Sequence, residues 1–208
     1  MASGKNFLKM FYCRVEKRPF LQYDRKMTNP LYKLAANKMR REWAENDAKR
    51  DEGLSIPGCV SVCDNISYGP HGKDNLLCVY APKDRTEELL PCIINIHGGG
   101  YFYGSKELYS LYSADMAARG FVVVVFNYRL CPENRYPAAL EDINEVTKWV
   151  LSNASEFCID PERIFVVGDS AGGQLALNYV TMLSNPSYAA LFDSSRSGHI
   201  PRRLRRNK

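Results

Sequence analysis

The residues best suited to covalent chemistry lie at the ends of two apolar runs, each of which stops at a cluster of glycines. Ser170 follows the run Ile164–Val167, and Gly168 and Gly172 stand two positions to either side of it. Small residues at these positions allow a sharp turn from a strand into a helix, so that the serine hydroxyl projects freely as a nucleophile. Because a hydroxyl is a weak nucleophile, a base must also lie within its reach.

The second glycine cluster suits the negative charge that such an attack creates. The run Ile93–Ile96 ends at the sequence His-Gly-Gly-Gly, residues 97–100. Glycine amides can approach a substrate closely, and one amide that binds an oxyanion is typically worth ~2.7–4 kcal/mol. We expect the amides of Gly98 and Gly99 to bind an oxyanion together with Ala171, which opens the helix after the serine.

Each glycine cluster has other interpretations when it is taken alone. A single Gly-x-Ser-x-Gly is compatible with any tight turn, and a glycine run can bind phosphate, although no Lys-Ser or Lys-Thr follows this one. GDSAGG also resembles the serine loop of chymotrypsin-like proteases, whose fold is nearly all strand. The two clusters, about 70 residues apart in a chain of alternating strands and helices, jointly favour a hydrolase.

The elements around these clusters predict an α/β fold with a largely parallel sheet. Asn29 and Pro30 are suited to begin a helix that Gly53 ends. The continuous apolar run 121–128 is typical of a strand buried on both faces. Further strands are predicted near residues 58–68, 76–82, 93–97 and 164–167, and further helices near 105–119, 137–157 and 171–183.

Composition matches an ordinary globular domain, with 45% hydrophobic and 25% charged residues among 208. No apolar run approaches the ~18 residues that a membrane span needs, and no signal peptide is recognisable, so we expect a cytoplasmic protein. The seven cysteines are scattered without zinc-site spacing. We therefore expect reduced thiols and no metal site.

The chain has a net charge of +5, and the excess of positive charge is concentrated at its C-terminal end. Residues 196–208 contain six Lys or Arg and no acid, which leaves the rest of the chain at −1. A basic tail can bind nucleic acid or acidic membranes, but this one has no aromatic residue for base stacking. We therefore favour a solvated, disordered tail and expect no nucleic-acid partner.

Taken together, these residues resemble the hormone-sensitive-lipase-like esterases of the α/β-hydrolase superfamily. Four stretches match that group in order and spacing, namely HGGGYFYG (97–104), YRLCPE (128–133), YPA (136–138) and GDSAGG (168–173). The match covers about residues 55–185, and Cys131 stands where members of the group usually have alanine.

The resemblance implies a mostly parallel sheet flanked by helices, small carboxylic esters as substrates, and an acyl-enzyme mechanism without a cofactor. It assigns Ser170 as the nucleophile and Gly98, Gly99 and Ala171 as the oxyanion hole. His97 is expected to shape its loop and Asp169 to be structural. Arg129 and Glu133 are expected to form a scaffold ion pair.

The resemblance also implies an acid and a histidine roughly a hundred residues beyond the serine. Only 38 residues follow Ser170, and Asp193 and His199 are the sole candidates among them, in a stretch without strand or helix pattern. We therefore expect a C-terminally truncated hydrolase that lacks its last strands and has impaired catalysis. Its apolar edge at residues 164–167 would then favour oligomers.

These expectations divide the chain into an N-terminal helical, cap-like segment (1–56), an incomplete hydrolase core (57–192) and a basic tail (193–208). Two functions remain open. The chain is either a serine carboxylic-ester hydrolase or a non-catalytic remnant that binds a partner through its sheet edge or its tail. A folded protein without ester turnover favours the second.

Overall fold

The computed structural model describes residues 30–84 and 88–189, in which strands and helices alternate as predicted. The strands are β1 (Val60–Ser67), β2 (Leu76–Pro82), β3 (Leu90–Ile96), β4 (Val122–Phe126) and β5 (Ile159–Gly168). The helices are α1 (Pro30–Arg50), α2 (Ser110–Ala118), α3 (Ala138–Ser152), α4 (Ala171–Ser184) and the short α5 (Pro186–Ala189). The predictions for residues 1–29, Asp193, His199 and the basic tail lie outside the described residues.

The five strands form one mixed sheet in the order β1-β2-β4-β3-β5. β2 runs antiparallel to both β1 and β4, whereas β3 is parallel to both β4 and β5. Four of the five strands therefore point the same way, which confirms the predicted largely parallel sheet. β1 and β2 pair as a hairpin because a short connection suffices for antiparallel neighbours, whereas the parallel strands are joined by helical crossovers.

Helices cover both faces of the sheet, and this explains the unbroken apolar run of β4. α3 and α4 pack on one face, where Ile94, Val124 and Phe126 lie fully buried. α2 packs on the other face against Ile93 and Val123. Strands covered on two sides have no solvent-facing positions, so hydrophobic residues occupy both faces.

β5 lies at one end of the sheet and pairs with β3 alone among the described residues. Phe165 on this strand is 50% exposed, and Leu177 on the neighbouring helix α4 is 69% exposed. The apolar edge predicted at residues 164–167 is thus the outer strand of the described sheet. Whether this edge supports an oligomer stays a prediction.

The ion pairing of Arg129 differs from the prediction. Arg129 contacts Glu141 and Asp142 at 2.9 Å rather than Glu133. Asp142 lies in α3 and is almost fully buried, and it also accepts a hydrogen bond from the Arg129 backbone amide at 2.8 Å. The predicted partner was wrong because α3 brings two carboxylates to Arg129, and their positions follow from tertiary packing.

Glu133 pairs instead with Arg40, which fastens α1 to the core. The Arg40 guanidinium lies 2.8 Å from a Glu133 carboxylate oxygen. It also donates to the carbonyl oxygens of Phe102 and Cys131, each at 2.7 Å. The bond from Arg40 holds the pKa of the Glu133 carboxyl below its usual range. One side chain therefore links α1 to two loops of the core.

We predict that Arg40→Ala loosens α1 without unfolding the sheet, because the substitution leaves two loop carbonyls and Glu133 without their donor. Amide hydrogen exchange should quicken about tenfold across Pro30–Arg50 and stay unchanged in β4. Lys38→Ala is the matched control, since Lys38 is 73% exposed and has only a 3.8 Å contact with Glu42. Equal rates of amide exchange in the two variants would contradict the role of Arg40 in holding α1 on the core.

Candidate active site

Ser170 occupies a sharp turn between β5 and α4. Its backbone has φ 48° and ψ −119°, a region that residues other than glycine seldom adopt. The side chain is exposed and forms no capping hydrogen bond to the helix that it precedes. The turn therefore presents a hydroxyl that is free to react and that faces the start of a helix, whose dipole favours negative charge.

Two glycines beside Ser170 let this turn pack against the loop that follows β3. A Cβ atom on Gly172 would lie 2.1 Å from the carbonyl oxygen of Ile96 and 2.7 Å from that of His97. A Cβ atom on Gly168 would lie 2.5 Å from the backbone of Gly172. Because backbone cannot move aside cheaply, side chains are excluded at both positions. The two glycine clusters, distant in sequence, are thus in direct contact.

Gly98 lies in this contact, but its amide is already engaged. The Gly98 N–H donates to the hydroxyl of Tyr109 at 2.9 Å, and Gly98 is buried. The Tyr109 hydroxyl in turn donates to the carboxylate of Asp169, the neighbour of Ser170. The amide of Gly98 is thus engaged by Tyr109 in this structure, and its expected part in an oxyanion hole stays a prediction.

The next two glycines have amides that donate to no described residue. Gly99 has φ +110° and Gly100 has φ +60°, both in the region that favours glycine. The carbonyl of Gly99 accepts hydrogen bonds from the amides of Phe102 and Tyr103 at 3.2 and 2.9 Å. The Gly99 carbonyl thus closes a tight turn with the residues that follow it, while the amides of Gly99 and Gly100 form no hydrogen bond to the described residues.

A second tyrosine also joins the two clusters. The hydroxyl of Tyr101 hydrogen-bonds to the side chain of Gln174, which lies one turn beyond Ser170 on α4. Tyr101 adopts φ +68°, an uncommon conformation for a residue with a side chain. With Tyr109 on one side and Tyr101 on the other, the loop after β3 is tied to the helix that begins at the serine.

The turn that contains Tyr109 is held in place by a buried lysine. Lys106 is 1% exposed, and its ammonium lies 2.7 Å from carboxylate oxygens of both Asp64 and Glu107. Burial alone lowers the pKa of Lys106, but hydrogen bonds to these carboxylates raise it above its usual value. Lys106 therefore stays protonated, and its charge is balanced by the two carboxylates. These ion pairs hold the 3₁₀ turn Lys106–Tyr109 in place.

His97 serves the loop, as the sequence analysis expected. Its ring is fully buried and stacks on Tyr128 with ring centroids 4.1 Å apart. Nδ1 donates to the carbonyl of Gly98 at 2.7 Å, and Nε2 is buried with no partner among the described residues. Burial lowers the pKa of His97 to about 4. A neutral imidazole enclosed in this way cannot reach and deprotonate the exposed Ser170.

This lowered pKa predicts a pH dependence of stability. The unfolded chain binds a proton at His97 near its ordinary pKa of about 6.5, whereas the folded chain binds it only near 4. Stability from this group is therefore complete above pH 6.5 and is lost as pH falls toward 4, by an amount of order 3 kcal/mol. Urea unfolding at several pH values should show a shallower decline for His97→Asn than for the parent chain.

The matched control is His71→Asn, because His71 is exposed in the turn before β2. That variant should keep the parent's pH profile. A parallel decline for all three proteins would contradict the assignment of this pH dependence to His97.

Ser170 and Ala171 lie at the start of α4, and the contact of Gly172 with the carbonyls of Ile96 and His97 brings the glycine loop next to this helix start. The structure also adds residues that the sequence analysis did not single out. Tyr109 and Lys106 carry no motif that predicts their role, and only their long-range contacts reveal it. Among the described residues, no group of three or more His, Cys, Asp or Glu side chains is arranged to hold a metal ion. None of the described helices is long and apolar enough to cross a bilayer.

Comparisons with known proteins relate this chain to ester hydrolases. The family model BD-FAE matches residues 77–197. Arylacetamide deacetylase of Oryctolagus cuniculus is 46% identical over 103 residues, which are 47% of this chain and 26% of that protein. Ethyl acetate hydrolase of Pseudomonas putida is 32% identical over 157 residues, 75% of this chain and 48% of that protein. The chain spans about a quarter to a half of the curated relatives it matches.

Solved structures of esterases share the fold. Esterase B from Lactobacillus rhamnosis superposes with a TM-score of 0.74 at 26% identity, over 81% of this chain and 54% of that one. A bacterial heroin esterase superposes with a TM-score of 0.63 at 26% identity, over 82% of this chain and 61% of that one. The sheet order and the turn at Ser170 therefore occur in a fold shared with ester hydrolases.

Proposed function

The chain belongs to the BD-FAE family, among the hormone-sensitive-lipase-like esterases of the α/β-hydrolase superfamily, and from this premise we propose that Ser170 is the nucleophile of an ester hydrolase. The observation that carries the proposal is the backbone of Ser170, a strained turn that holds an exposed hydroxyl at the start of α4. Strain of this kind is retained at functional sites when the surrounding structure enforces it.

In the proposed reaction, the Ser170 oxygen attacks the carbonyl carbon of a small carboxylic ester. The alcohol leaves with the proton that a base has taken from the Ser170 hydroxyl, and water then hydrolyses the acyl-enzyme to release the carboxylic acid and restore the serine. The negative charge on the carbonyl oxygen is stabilised by the amides of Ala171, Gly99 and Gly100. Gly98, which the sequence analysis included, instead orients the loop through Tyr109.

The attack needs a base, and neither described histidine supplies one. His97 is buried and neutral, and His71 lies in the turn that connects β1 to β2. We therefore propose that the base comes from outside residues 30–84 and 88–189. Without such a base, this chain hydrolyses esters slowly, because binding and the oxyanion amides give only part of the rate.

Covalent labelling tests the nucleophile without requiring turnover, since one slow attack leaves a stable adduct. A p-nitrophenyl alkylphosphonate should form an adduct on the purified chain, and peptide mass spectrometry should place it on Ser170. An adduct spread over several serines, or none after prolonged incubation of a folded protein, would contradict the assignment. A folded chain that neither reacts nor hydrolyses esters would favour the alternative of an interaction module.

A further inference from the structure

Two aromatic rings stand beside the glycines proposed to bind the oxyanion. Trp43 of α1 and Phe102 have ring centroids 5.0 Å apart, and both side chains are partly exposed. A methyl group on Gly100 would lie 3.0 Å from a Phe102 ring carbon and 3.9 Å from Trp43. The exposed backbone of Gly100 is therefore bordered by two aromatic rings. We call this pair, Trp43 and Phe102, the aromatic shelf.

The aromatic shelf is held in place from several sides. Arg40 donates to the Phe102 carbonyl at 2.7 Å, which ties α1 to the residue that carries the second ring. The ring of Tyr103 meets Trp43 edge-on, with centroids 5.5 Å apart, and its hydroxyl donates to Asp47 of α1 at 2.6 Å. Rings held by such contacts lose little conformational entropy when a ligand binds.

The shelf is also joined to the loop that carries the proposed oxyanion amides. The Phe102 amide donates to the carbonyl of Gly99, only one residue before Gly100. A carbonyl oxygen held by the Gly99 and Gly100 amides would therefore place the attached substituents of an ester near the shelf. Offset or edge-on contact between aromatic rings adds roughly two- to tenfold in affinity beyond the effect of buried area alone.

We propose that the aromatic shelf selects esters that carry a flat aromatic group over esters with a saturated group of the same size. This inference names a substrate class and rests on the proposed function of the Ser170 site. It assigns Trp43 and Phe102 as specificity-determining residues that touch the substrate.

Phenyl acetate and cyclohexyl acetate test the shelf because they differ in ring flatness while having similar size. Both are titrated into Ser170→Ala, so that binding is measured without turnover, and affinity is followed by ligand-observed NMR. We expect phenyl acetate to bind about fivefold more tightly. Trp43→Leu and Phe102→Leu, each in the same background, should reduce this preference to nearly onefold.

Tyr112→Ala is the matched control, since Tyr112 is an aromatic residue of α2 that is 46% exposed and is not part of the aromatic shelf. It should retain the full preference for phenyl acetate. Because Trp43→Leu removes a residue that packs α1, helix content is checked by circular dichroism. Phe102→Leu gives a second, independent measure of the preference.

A local signal comes from fluorescence. The chain has two tryptophans, so Trp149→Phe combined with Ser170→Ala leaves Trp43 as the only one. Its emission should change saturably with phenyl acetate. The proposal is overturned by equal affinity for the two esters, by a preference that survives Trp43→Leu, or by no saturable binding. Hydrolysis is measured separately on the parent chain. Binding of phenyl acetate by Ser170→Ala with no hydrolysis by the parent chain would contradict the proposed function and leave the shelf intact.

Discussion

Ser170→Ala should abolish the part of ester hydrolysis that passes through an acyl-enzyme and lower the rate toward that of the buffer. The reason is that the substitution removes the only atom proposed to bond with the acyl group, while an alanine fits the same exposed turn. Initial rates with p-nitrophenyl acetate and p-nitrophenyl butyrate measure the effect, with protein concentration varied to separate enzyme from buffer hydrolysis.

Ser184→Ala is the matched control for this experiment. Ser184 lies at the other end of α4 and its hydroxyl bonds to the carbonyl of Val180 at 2.9 Å. The control should hydrolyse both esters at the parent rate. Equal rates for Ser170→Ala and the parent chain would mean that this serine takes no part in catalysis.

The same pair of proteins reveals whether a base is lacking. Added imidazole can accept the serine proton in place of a histidine side chain, so it should accelerate the parent chain more than Ser170→Ala. Imidazole also hydrolyses esters directly, so the rate measured with Ser170→Ala is subtracted from the rate of the parent chain. A parent chain that is already fast and gains nothing from imidazole would contradict the proposal of slow catalysis.

Gly172→Ala should have the largest effect on stability, lowering the free energy of unfolding by about 3 kcal/mol. The new Cβ atom would lie 2.1 Å from the Ile96 carbonyl oxygen, which belongs to strand β3. Relief of this clash requires α4 to move away from the sheet, which also separates Ser170 from the glycine loop. Urea denaturation followed by circular dichroism measures the loss.

Gly58→Ala is the control for the general effect of replacing a glycine. A Cβ atom on Gly58 meets nothing within 4 Å, and its φ lies outside the left-handed region. Its free energy of unfolding should stay within about 0.5 kcal/mol of the parent. A similar small change for Gly172→Ala would show that α4 is not packed tightly on β3.

The local elements of this chain were predictable because their causes are local. The run Val122–Phe126 is apolar at every position, which indicates a strand covered on both faces. Pro30 begins α1 and Gly53, with φ +77°, follows its end, as their backbone preferences require. The turn at Ser170 was likewise predictable, since Gly168 and Gly172 exclude the side chains that would prevent it.

The partners of individual side chains were not predictable, because they depend on how distant elements pack. Arg40 reaches Glu133 across 93 positions of sequence, and no spacing rule connects them. Nothing in the motif around Gly98 indicates that the hydroxyl of Tyr109 occupies its amide.

The sequence by itself thus determined which residue is suited to attack a carbonyl and which loop can receive the resulting charge. Both follow from backbone sterics within a few residues. Tertiary structure alone decided which glycine amides stay unengaged, which carboxylates pair with Arg129, and which aromatic rings border Gly100. These contacts form only when α1, α2 and α3 pack against the sheet, so short-range sequence patterns do not predict them.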